Sequence, residues 1–480
     1  MTEHDGRAKW SGQLAFVLAA AASAIGLGNL WRFPYLAAQY GGGIFIVLYI
    51  GLVVTLGFTL MLTEIAIGRK TRQSQLTAYS RLRRSWGFVG ILGTVVSVLI
   101  VPYYCVIGGW VLYFFKSYCT MAFTGADLMG AGAANSEAFF NSFIAAPFAP
   151  FGYAVIFVLA CSAVIALGVK NGIEKSNMVM MPVLFLMAFA ICVYVVAMPG
   201  SSAGIKYYLV PNLDCLSGPD GRFSVALLGK TLLGAAGQMF YSLSLAMGIM
   251  ITYGSYMKQS DSIEKCVRRI EIFDTIVALM AGLMIVPVVY LFAVKTGTPV
   301  EEAMKAGPGL MFMTLPKVFA SLGPSGAWVG MAFFLLVIFA AATSAISLYE
   351  ACVASVCDFL KLGRKAATFF SAAVMLFLAV FSALGYGVWG DVRIFGMQFL
   401  DFFDFVTNSA LMPVVAAVTC IFVGWVLKPG AVVEECESGG CGMKTKAFYS
   451  FMVRYLAPAF MIALLVSEVC RALKIGGWSI

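Results

Sequence analysis

The chain has a single histidine, His4, which lies in the polar segment before the first hydrophobic run. Without further histidines the sequence cannot build a Ser-His-Asp or Cys-His set within a folded core, so a nucleophile there would lack its usual activating base. An intramembrane enzyme is therefore a disfavoured alternative. A channel or a sensor that transports nothing is not excluded by this argument.

Charged residues are also scarce, at 11% of the 480 residues, while 61% are hydrophobic. Soluble domains carry about 25% charged residues. Many apolar runs reach the ~20 residues that a helix needs to cross a bilayer. The sequence therefore predicts an all-α membrane protein, and the net charge of +9 is interpreted as a topology signal rather than as a nucleic-acid-binding surface.

The apolar runs predict about eleven transmembrane helices. They are expected at residues 11–38, 43–69, 88–122, 152–169, 172–198, 225–257, 266–296, 327–360, 364–386, 394–427 and 446–471. Most of the 32 Lys and Arg residues fall on one side when the N-terminus is placed inside. The positive-inside rule then predicts a multi-pass protein of the cell inner (plasma) membrane with a cytoplasmic N-terminus and, after an odd number of spans, an extracellular C-terminus.

Most of the 12 cysteines lie inside the hydrophobic runs and are interpreted as small packing residues. Cys436 and Cys441 lie in a predicted cytoplasmic loop. Neither has a second Cys or His pair nearby, so no zinc site is expected there. The role of these two residues is left open.

The first span contains an unusual stretch, residues 23–34 (SAIGLGNLWRFP), with two closely spaced glycines, Gly26 and Gly28, and a proline. Glycine costs a helix about 1 kcal/mol relative to alanine, and proline removes a backbone donor. Lipid cannot satisfy open backbone groups, so a broken helix persists only where it is buried in protein or lines a wet cavity. The stretch predicts a helix that opens to present main-chain groups to a ligand, with a kinked packed helix as the alternative.

Polar residues recur at membrane depth in three further spans. The sixth carries Ser242, Ser244 and a glycine within QMFYSLSLAMG, the seventh carries Asp274, and the eighth carries Thr343 next to Ser344. Hydroxyl, carboxylate and amide oxygens suit a small hard cation, and the few carboxylates argue against calcium, which prefers several. The residue types favour sodium, and half-helix N-termini would attract a substrate carboxylate.

Several other ionisable residues lie within or beside the apolar runs. Glu64 in the second span is expected to accept backbone N–H groups freed by the broken first helix, because an intramembrane carboxylate needs a partner. Arg32 lies at the same predicted depth as Asp404, and Arg7 at the same inner level as Asp358, so two ion pairs are expected.

Taken together, these motifs resemble the neurotransmitter:sodium symporter family with the LeuT-like fold. The marks are residues 24–35 (AIGLGNLWRFPY), residues 238–245 (QMFYSLSL) and residues 342–344 (ATS), in the same order and spacing. The similarity runs from about residue 7 to about residue 427. It implies a 5+5 inverted repeat with discontinuous helices 1 and 6.

The resemblance also implies a domain organisation and a set of site residues. Residues 1–10 would form a cytoplasmic tail with the inner gate, 11–198 the first five-helix repeat, 199–224 an extracellular loop, 225–427 the second repeat, 428–445 a cytoplasmic loop, and 446–480 the eleventh helix with an extracellular C-terminus. One sodium site would use the Ala24 carbonyl, Asn29, Ser242 and Asp274, together with the substrate carboxylate. The second would use Ala22, Ile25, Ala340, Thr343 and Ser344. The substrate would lie against Ala24, Gly26, Gly28, Tyr104, Tyr241, Ser242, Ser244, Met247, Ser344 and Leu348.

Gating roles follow from the same resemblance. Arg32 and Asp404 would form the outer gate. Arg7 and Asp358 would form the inner gate, with Trp10 and Tyr256 nearby. The spacing from Gly172 to Pro182 resembles a fifth-helix motif that unwinds to open a water path to the second sodium site.

The substrate is expected to be a neutral, hydrophobic or aromatic L-amino acid, carried by a monomer or weak homodimer in the lipid bilayer. Gly26 stands where amine transporters of the family carry an aspartate, which disfavours monoamines. Met247 replaces an aromatic residue and is flexible, so bulky apolar side chains would fit. Asp274 stands where animal members have a neutral residue and need chloride, so we expect chloride independence.

One alternative within transport is a proton-coupled amino acid carrier. Asp274 or Glu64 would then be the group that binds and releases the proton. Uptake that persists without sodium under a pH gradient would favour this interpretation over sodium coupling.

Overall fold

The structure is a computed structural model that describes residues 7–130, 135–218, 221–305 and 307–472. The tail before residue 7, which includes His4, and the last eight residues lie outside this part, so the predictions for both termini are not tested there. Within the described residues nine continuous helices are long and apolar enough to cross a membrane. These spans are Gly43–Thr71, Arg84–Thr124, Ala149–Ala166, Val169–Ala197, Ile263–Thr296, Gly323–Leu360, Arg364–Leu384, Phe399–Leu427 and Lys446–Cys470.

Two further spans are interrupted. The first consists of Gln13–Ala24 and Gly28–Gln39, which are bent by 51° relative to each other. The sixth consists of Val225–Ser242 and Ile249–Ser255, separated by residues 243–248. Among the described residues, the nine continuous helices and the bent pair give up to ten helices that are long and apolar enough to cross a membrane. The shorter pair Val225–Ser242 and Ile249–Ser255 occupies the place of the expected sixth span, so both predicted breaks, in the first and sixth helices, are present.

The two broken spans lie in the interior of the bundle. All residues of Ile249–Ser255 are buried, as are nine of the twelve residues of Gln13–Ala24. The third and eighth spans pack along each other, and the eighth also packs against Gln13–Ala24. The second span packs along Ile249–Ser255. Because lipid does not reach the breaks, their backbone groups can be satisfied by protein.

The loops between the spans carry shorter helices. Gln75–Leu82 lies between the second and third spans, Ser136–Ala145 between the third and fourth, and Ser201–Leu209 between the fifth and sixth. Leu310–Ala320 lies between the seventh and eighth spans, and Gly430–Glu437 between the tenth and eleventh. One of these, Gln75–Leu82, contributes Leu76 to the lining of a cavity described below.

Candidate functional site

The break in the first span is held open by side chains from its neighbours. The Tyr104 hydroxyl accepts a hydrogen bond from the Leu27 backbone N–H at 3.3 Å. The Gln238 amide donates to the Gly28 carbonyl at 3.2 Å, and the Ser344 hydroxyl donates to the Ser23 carbonyl at 2.9 Å. The groups that helix formation would normally pair are thus satisfied by tertiary contacts.

The break in the sixth span depends on left-handed backbone at three alternate residues, Ser244 (φ 54°), Ala246 (φ 58°) and Gly248 (φ 76°). A non-glycine residue in this region costs roughly 1–2 kcal/mol, so the conformation needs support. Glu64 supplies part of it by accepting a hydrogen bond from the Ala246 N–H at 2.7 Å. The sequence had assigned Glu64 to the first break. This was wrong, because the second span packs along the inner half of the sixth and brings Glu64 to that break instead.

Asp274 links the two breaks. Its carboxylate accepts hydrogen bonds from the Asn29 amide at 2.9 Å, from the Ser242 hydroxyl at 2.9 Å and from the Tyr49 hydroxyl at 3.0 Å. The Asn29 side-chain oxygen accepts in turn from the Gly26 N–H at 3.3 Å. Asp274 and Asn29 have no exposed surface. Asp274 therefore contacts two of the other three residues predicted for one sodium site, Asn29 and Ser242.

A second group of oxygens lies between the first and eighth spans. Ser344 contacts the carbonyls of Ser23 and, at 3.4 Å, Ile25. Thr343, on the same helical turn, donates within its own helix to the Ala340 carbonyl at 3.1 Å. Within the described residues no cluster of three His, Cys, Asp or Glu side chains is found. The donor set here consists of hydroxyls and carbonyls, which suits a hard monovalent cation better than a transition metal.

A small pocket of about 20 Å³ lies beside both groups. It is lined by Ser23, Ala24, Gly26, Leu27, Gly28, Asn29, Ile100, Tyr104, Tyr241, Ser244, Met247, Ser344 and Leu348. Nine of the ten predicted substrate residues line it. The tenth, Ser242, does not line the pocket and donates a hydrogen bond to Asp274. None of the described lining residues carries a charge.

A larger cavity of about 260 Å³ lies next to this pocket. Tyr241 lines both cavities and so forms the partition between them. Gly307 and Pro308, from the loop before the eighth span, and Trp31 line the larger cavity.

Arg32 and Asp404 both line the larger cavity, but the ion pairs of the described residues do not join them. The Arg32 guanidinium lies over the Tyr241 ring at 5.9 Å. Asp404 accepts hydrogen bonds from Tyr103 at 3.1 Å and from Asn408 at 2.5 Å. The expected outer ion pair is thus not formed in this conformation, because local partners hold Asp404.

The opposite side of the site is closed. Arg7 forms an ion pair with Asp358 at 2.8 Å and donates to Ser255 at 2.9 Å. Burial lowers the pKa of Arg7, but the neighbouring Tyr256 and Asp358 outweigh this and raise the pKa overall. The Trp10 indole donates to the Tyr253 carbonyl at 3.1 Å, and Trp10 is 1% exposed. These contacts seal the path below the pocket.

The fifth span begins with a wide π-helical turn, Val169–Glu174, that contains Gly172, and Pro182 lies inside the helix that follows. A Cβ on Gly172 would approach the Val164 carbonyl to 1.9 Å, so only glycine fits there. Glu174 in this turn accepts hydrogen bonds from the Ser11 N–H at 3.0 Å and from the Ser11 hydroxyl. The segment is helical in this conformation, and the start of the first span is tied to it.

Sequence reasoning missed several residues of the site. Tyr49 contacts Asp274, Ile100 lines the pocket, and Tyr103 and Asn408 hold Asp404. All four look like ordinary membrane-helix residues in the sequence. A buried tyrosine hydroxyl does need a partner, but the sequence does not say which one.

The fold and site define the class of protein: an all-helical transporter whose two broken helices enclose a polar core open to one side. Comparison with known proteins identifies the family. The model of the sodium:neurotransmitter symporter family matches residues 7–129 and 151–477, so the chain belongs to this family and is a sodium-dependent symporter. This confirms the predicted family and fold.

Two relatives and one solved structure illustrate the similarity. The uncharacterized sodium-dependent transporter YhdH of Bacillus subtilis is 32% identical over 465 residues, which is 96% of this chain and 97% of that protein. The uncharacterized sodium-dependent transporter MJ1319 of Methanocaldococcus jannaschii is 29% identical over 479 residues, covering 98% and 92%. The crystal structure of MhsT in complex with L-phenylalanine superposes with a TM-score of 0.83 at 32% identity, covering 96% of this chain and 100% of that one. The two relatives are both described as sodium-dependent transporters.

Proposed function

We propose that this protein carries a neutral, hydrophobic or aromatic L-amino acid into the cell together with sodium, by alternating access and without chloride. The observation that carries the proposal is the position of Asp274, which bridges Asn29 of the first break and Ser242 of the sixth at 2.9 Å each. A buried carboxylate at that point lacks a counter-charge among its hydrogen-bonding partners, and a sodium ion supplies one.

The first ion would bind the Ala24 carbonyl, the Asn29 and Ser242 side-chain oxygens and Asp274. The hydrogen bonds among these side chains would open, and the same oxygens would turn to the cation. One fixed negative charge then balances one sodium ion. This balance is the reason we propose chloride independence.

The second ion would bind the carbonyls of Ala22, Ile25 and Ala340 with the hydroxyls of Thr343 and Ser344. Ser344 already lies 3.4 Å from the Ile25 carbonyl. An ion at this position would join the first span to the eighth. Its release would therefore loosen the inner half of the first span, and the wide turn around Gly172 lies on that side.

The amino acid would occupy the pocket between the two breaks. Its carboxylate would lie at the start of Gly28–Gln39, where backbone N–H groups and the helix dipole favour an anion. Its side chain would lie among Ile100, Met247 and Leu348. The lack of charge among the described lining residues supports a neutral side chain, and the bound L-phenylalanine of MhsT supports a large apolar one.

The cavities and contacts support a transport cycle in which one side of the site is closed while the other is open. In the described conformation the larger cavity reaches Tyr241 while Arg7, Trp10 and Asp358 close the other side. With the N-terminus placed in the cytoplasm and the C-terminus outside, this is an outward-facing state. Rocking of the spans in residues 11–198 against those in 225–427 would close the outer cavity, bring Arg32 toward Asp404 and part Arg7 from Asp358.

The experiment is calorimetric binding of a panel of neutral amino acids to purified protein in sodium buffer and in potassium buffer. We expect binding in sodium alone, with phenylalanine, tryptophan or leucine ahead of glycine. Equal binding in both buffers would overturn sodium coupling. Uptake into proteoliposomes in sodium-free medium under a pH gradient would then establish the proton-coupled alternative.

A further inference from the structure

A second cavity of about 260 Å³ lies apart from the transport path, and we refer to it as the inner groove. It lies between the loop helix Gln75–Leu82, the third span, the end of the eighth span and the start of the ninth. Its lining is Leu76, Thr94, Val98, Cys352, Ser355, Val356, Phe359, Leu360, Phe370, Ser371, Val374 and Met375. The lining is almost entirely hydrocarbon, so the groove suits an apolar ligand.

The inner groove opens to the surface of the bundle. Phe359 is 65% exposed, and Phe370 is 46% exposed. Asp358, which precedes Phe359, pairs with Arg7, so the groove lies on the side of the molecule that this ion pair closes. The exposed aromatic side chains here suit contact with lipid acyl chains.

Exposed basic residues lie close in sequence to the residues that line the groove. Lys361 and Lys365 follow directly on the eighth span and begin the ninth, and both are exposed. Arg83 and Arg84, at the start of the third span, are also exposed. Arg364 lies between the two lysines but is already paired with Glu350 at 2.6 Å. The chain next to the lining residue Leu360 therefore carries exposed cationic side chains, which suits an anionic headgroup.

One of the few polar side chains that line the groove has no hydrogen-bond partner. The Ser371 hydroxyl is buried and has no hydrogen-bond partner, and Ser371 as a whole is 3% exposed. A buried hydroxyl without a partner is costly, and its donor would be satisfied by an ester carbonyl. This requirement distinguishes a glycerolipid from a plain hydrocarbon.

We propose that the inner groove binds one acyl chain of an anionic glycerophospholipid, with its phosphate on Lys361 and Lys365 and an ester carbonyl near Ser371. The ligand would belong to the leaflet on the Arg7 side. Leu76 lines the groove, while its neighbour Gln75 packs between Gly93 and Gly248 of the sixth-span break. A bound lipid would thus stabilise the position of the loop helix Gln75–Leu82, whose first residue packs against the sixth-span break.

Native mass spectrometry of the purified full-length protein tests this site, using palmitoyl-oleoyl phosphatidylglycerol and the matching phosphatidylcholine as probes. We expect the wild type to retain one phosphatidylglycerol in preference to phosphatidylcholine. The double variant Lys361→Asn/Lys365→Gln should lose about fivefold in that preference for each lysine removed. Asn is chosen at 361 because Lys361 has φ 56°, which asparagine tolerates.

Two filling variants on opposite walls, Val374→Phe and Val98→Phe, separate the acyl site from surface charge. Both should lower retention of both lipids, and sodium-dependent amino acid binding with unchanged elution volume shows that they fold. The matched control is Lys170→Gln/Lys175→Gln, which removes two exposed lysines elsewhere on the same side and should retain lipid as the wild type does. Equal retention of the two lipids by the wild type, an equal loss in the control, or full retention by both filling variants would overturn the proposal.

Discussion

The Glu64 carboxylate accepts a hydrogen bond from the backbone N–H of Ala246 at 2.7 Å, in the middle of the sixth-span break. Ala246 has φ 58°, a conformation that an alanine adopts only where tertiary structure enforces it. The Ser244 hydroxyl, two residues earlier, donates to the Ser23 carbonyl of the first break at 3.1 Å. The two breaks are therefore stabilised jointly rather than each by its own sequence.

The first prediction concerns this contact. Glu64→Ala should lower stability by about 1–3 kcal/mol, because it leaves the Ala246 N–H buried without an acceptor. Glu64→Gln keeps an acceptor oxygen at the same place and should be markedly milder. The check is thermal unfolding of the two variants in the same detergent. Equal loss in both would contradict the hydrogen-bond explanation and indicate a role for the negative charge.

The second prediction concerns the space at the first break. A Cβ on Gly26 would lie 2.7 Å from the Ser344 hydroxyl oxygen and 3.0 Å from the Tyr104 hydroxyl oxygen. Gly26→Ala should weaken amino acid binding by about 5- to 150-fold, since overpacking costs about 1–3 kcal/mol. Gly229→Ala is the matched control, because a Cβ there meets nothing within 4 Å. Similar binding by both variants in calorimetry would contradict the assignment of Gly26 to the pocket.

The positions of the spans could be predicted from the sequence because each needs about 20 apolar residues. The first break was predictable too, since Gly26, Gly28 and Pro34 weaken a helix by their covalent structure. The sixth break was predictable only as a location. Its left-handed residues, Ser244 and Ala246, have no intrinsic preference for that conformation, and only contacts with other spans impose it.

Side-chain partners within the site were harder to predict than its location. Tyr49 and Tyr103 are typical of packed membrane helices, and their contacts with Asp274 and Asp404 depend on helix rotation. Arg32 and Asp404 were matched by depth alone. Depth in the membrane does not determine whether two charged side chains come into contact. In this conformation Tyr103 and Asn408 donate hydrogen bonds to Asp404 instead.

The third prediction concerns the closed inner side. Asp358 accepts from Arg7 and also from the Ser74 N–H at 2.6 Å, so Asp358→Ala removes the acceptor for both. We expect the inward-open state to gain population and sodium affinity to fall by about 5- to 150-fold, a usual range for such coupling. Hydrogen exchange should become faster at the backbone N–H of Trp10, which donates to the Tyr256 carbonyl at 3.1 Å.

A matched control for this variant is Glu437→Ala, which breaks a more exposed ion pair, with Lys446 at 2.5 Å, away from the transport path. Sodium affinity and exchange at Trp10 should be unchanged there, since exposed pairs contribute little. If Asp358→Ala leaves exchange at Trp10 as slow as in the wild type, the Arg7–Asp358 pair does not control this opening.

The last prediction concerns the carboxylate at the proposed first ion site. Asp274→Ala removes the fixed negative charge and the carboxylate that accepts hydrogen bonds from Asn29, Ser242 and Tyr49. Sodium-dependent amino acid binding should fall by about a hundredfold or more, because loss of one partner of a buried charge costs about 3–5 kcal/mol. Asn29→Ala should have the same effect on sodium dependence, since its side-chain oxygen is a proposed ligand.

The chloride independence and the control variant are tested in the same assay. Wild-type binding should be equal in chloride and gluconate buffers. Asp401→Asn, which changes a carboxylate in the larger cavity, should leave the sodium dependence intact. Normal sodium titration of Asp274→Ala, or a wild type that requires chloride, would show that Asp274 does not supply the charge that balances the ion.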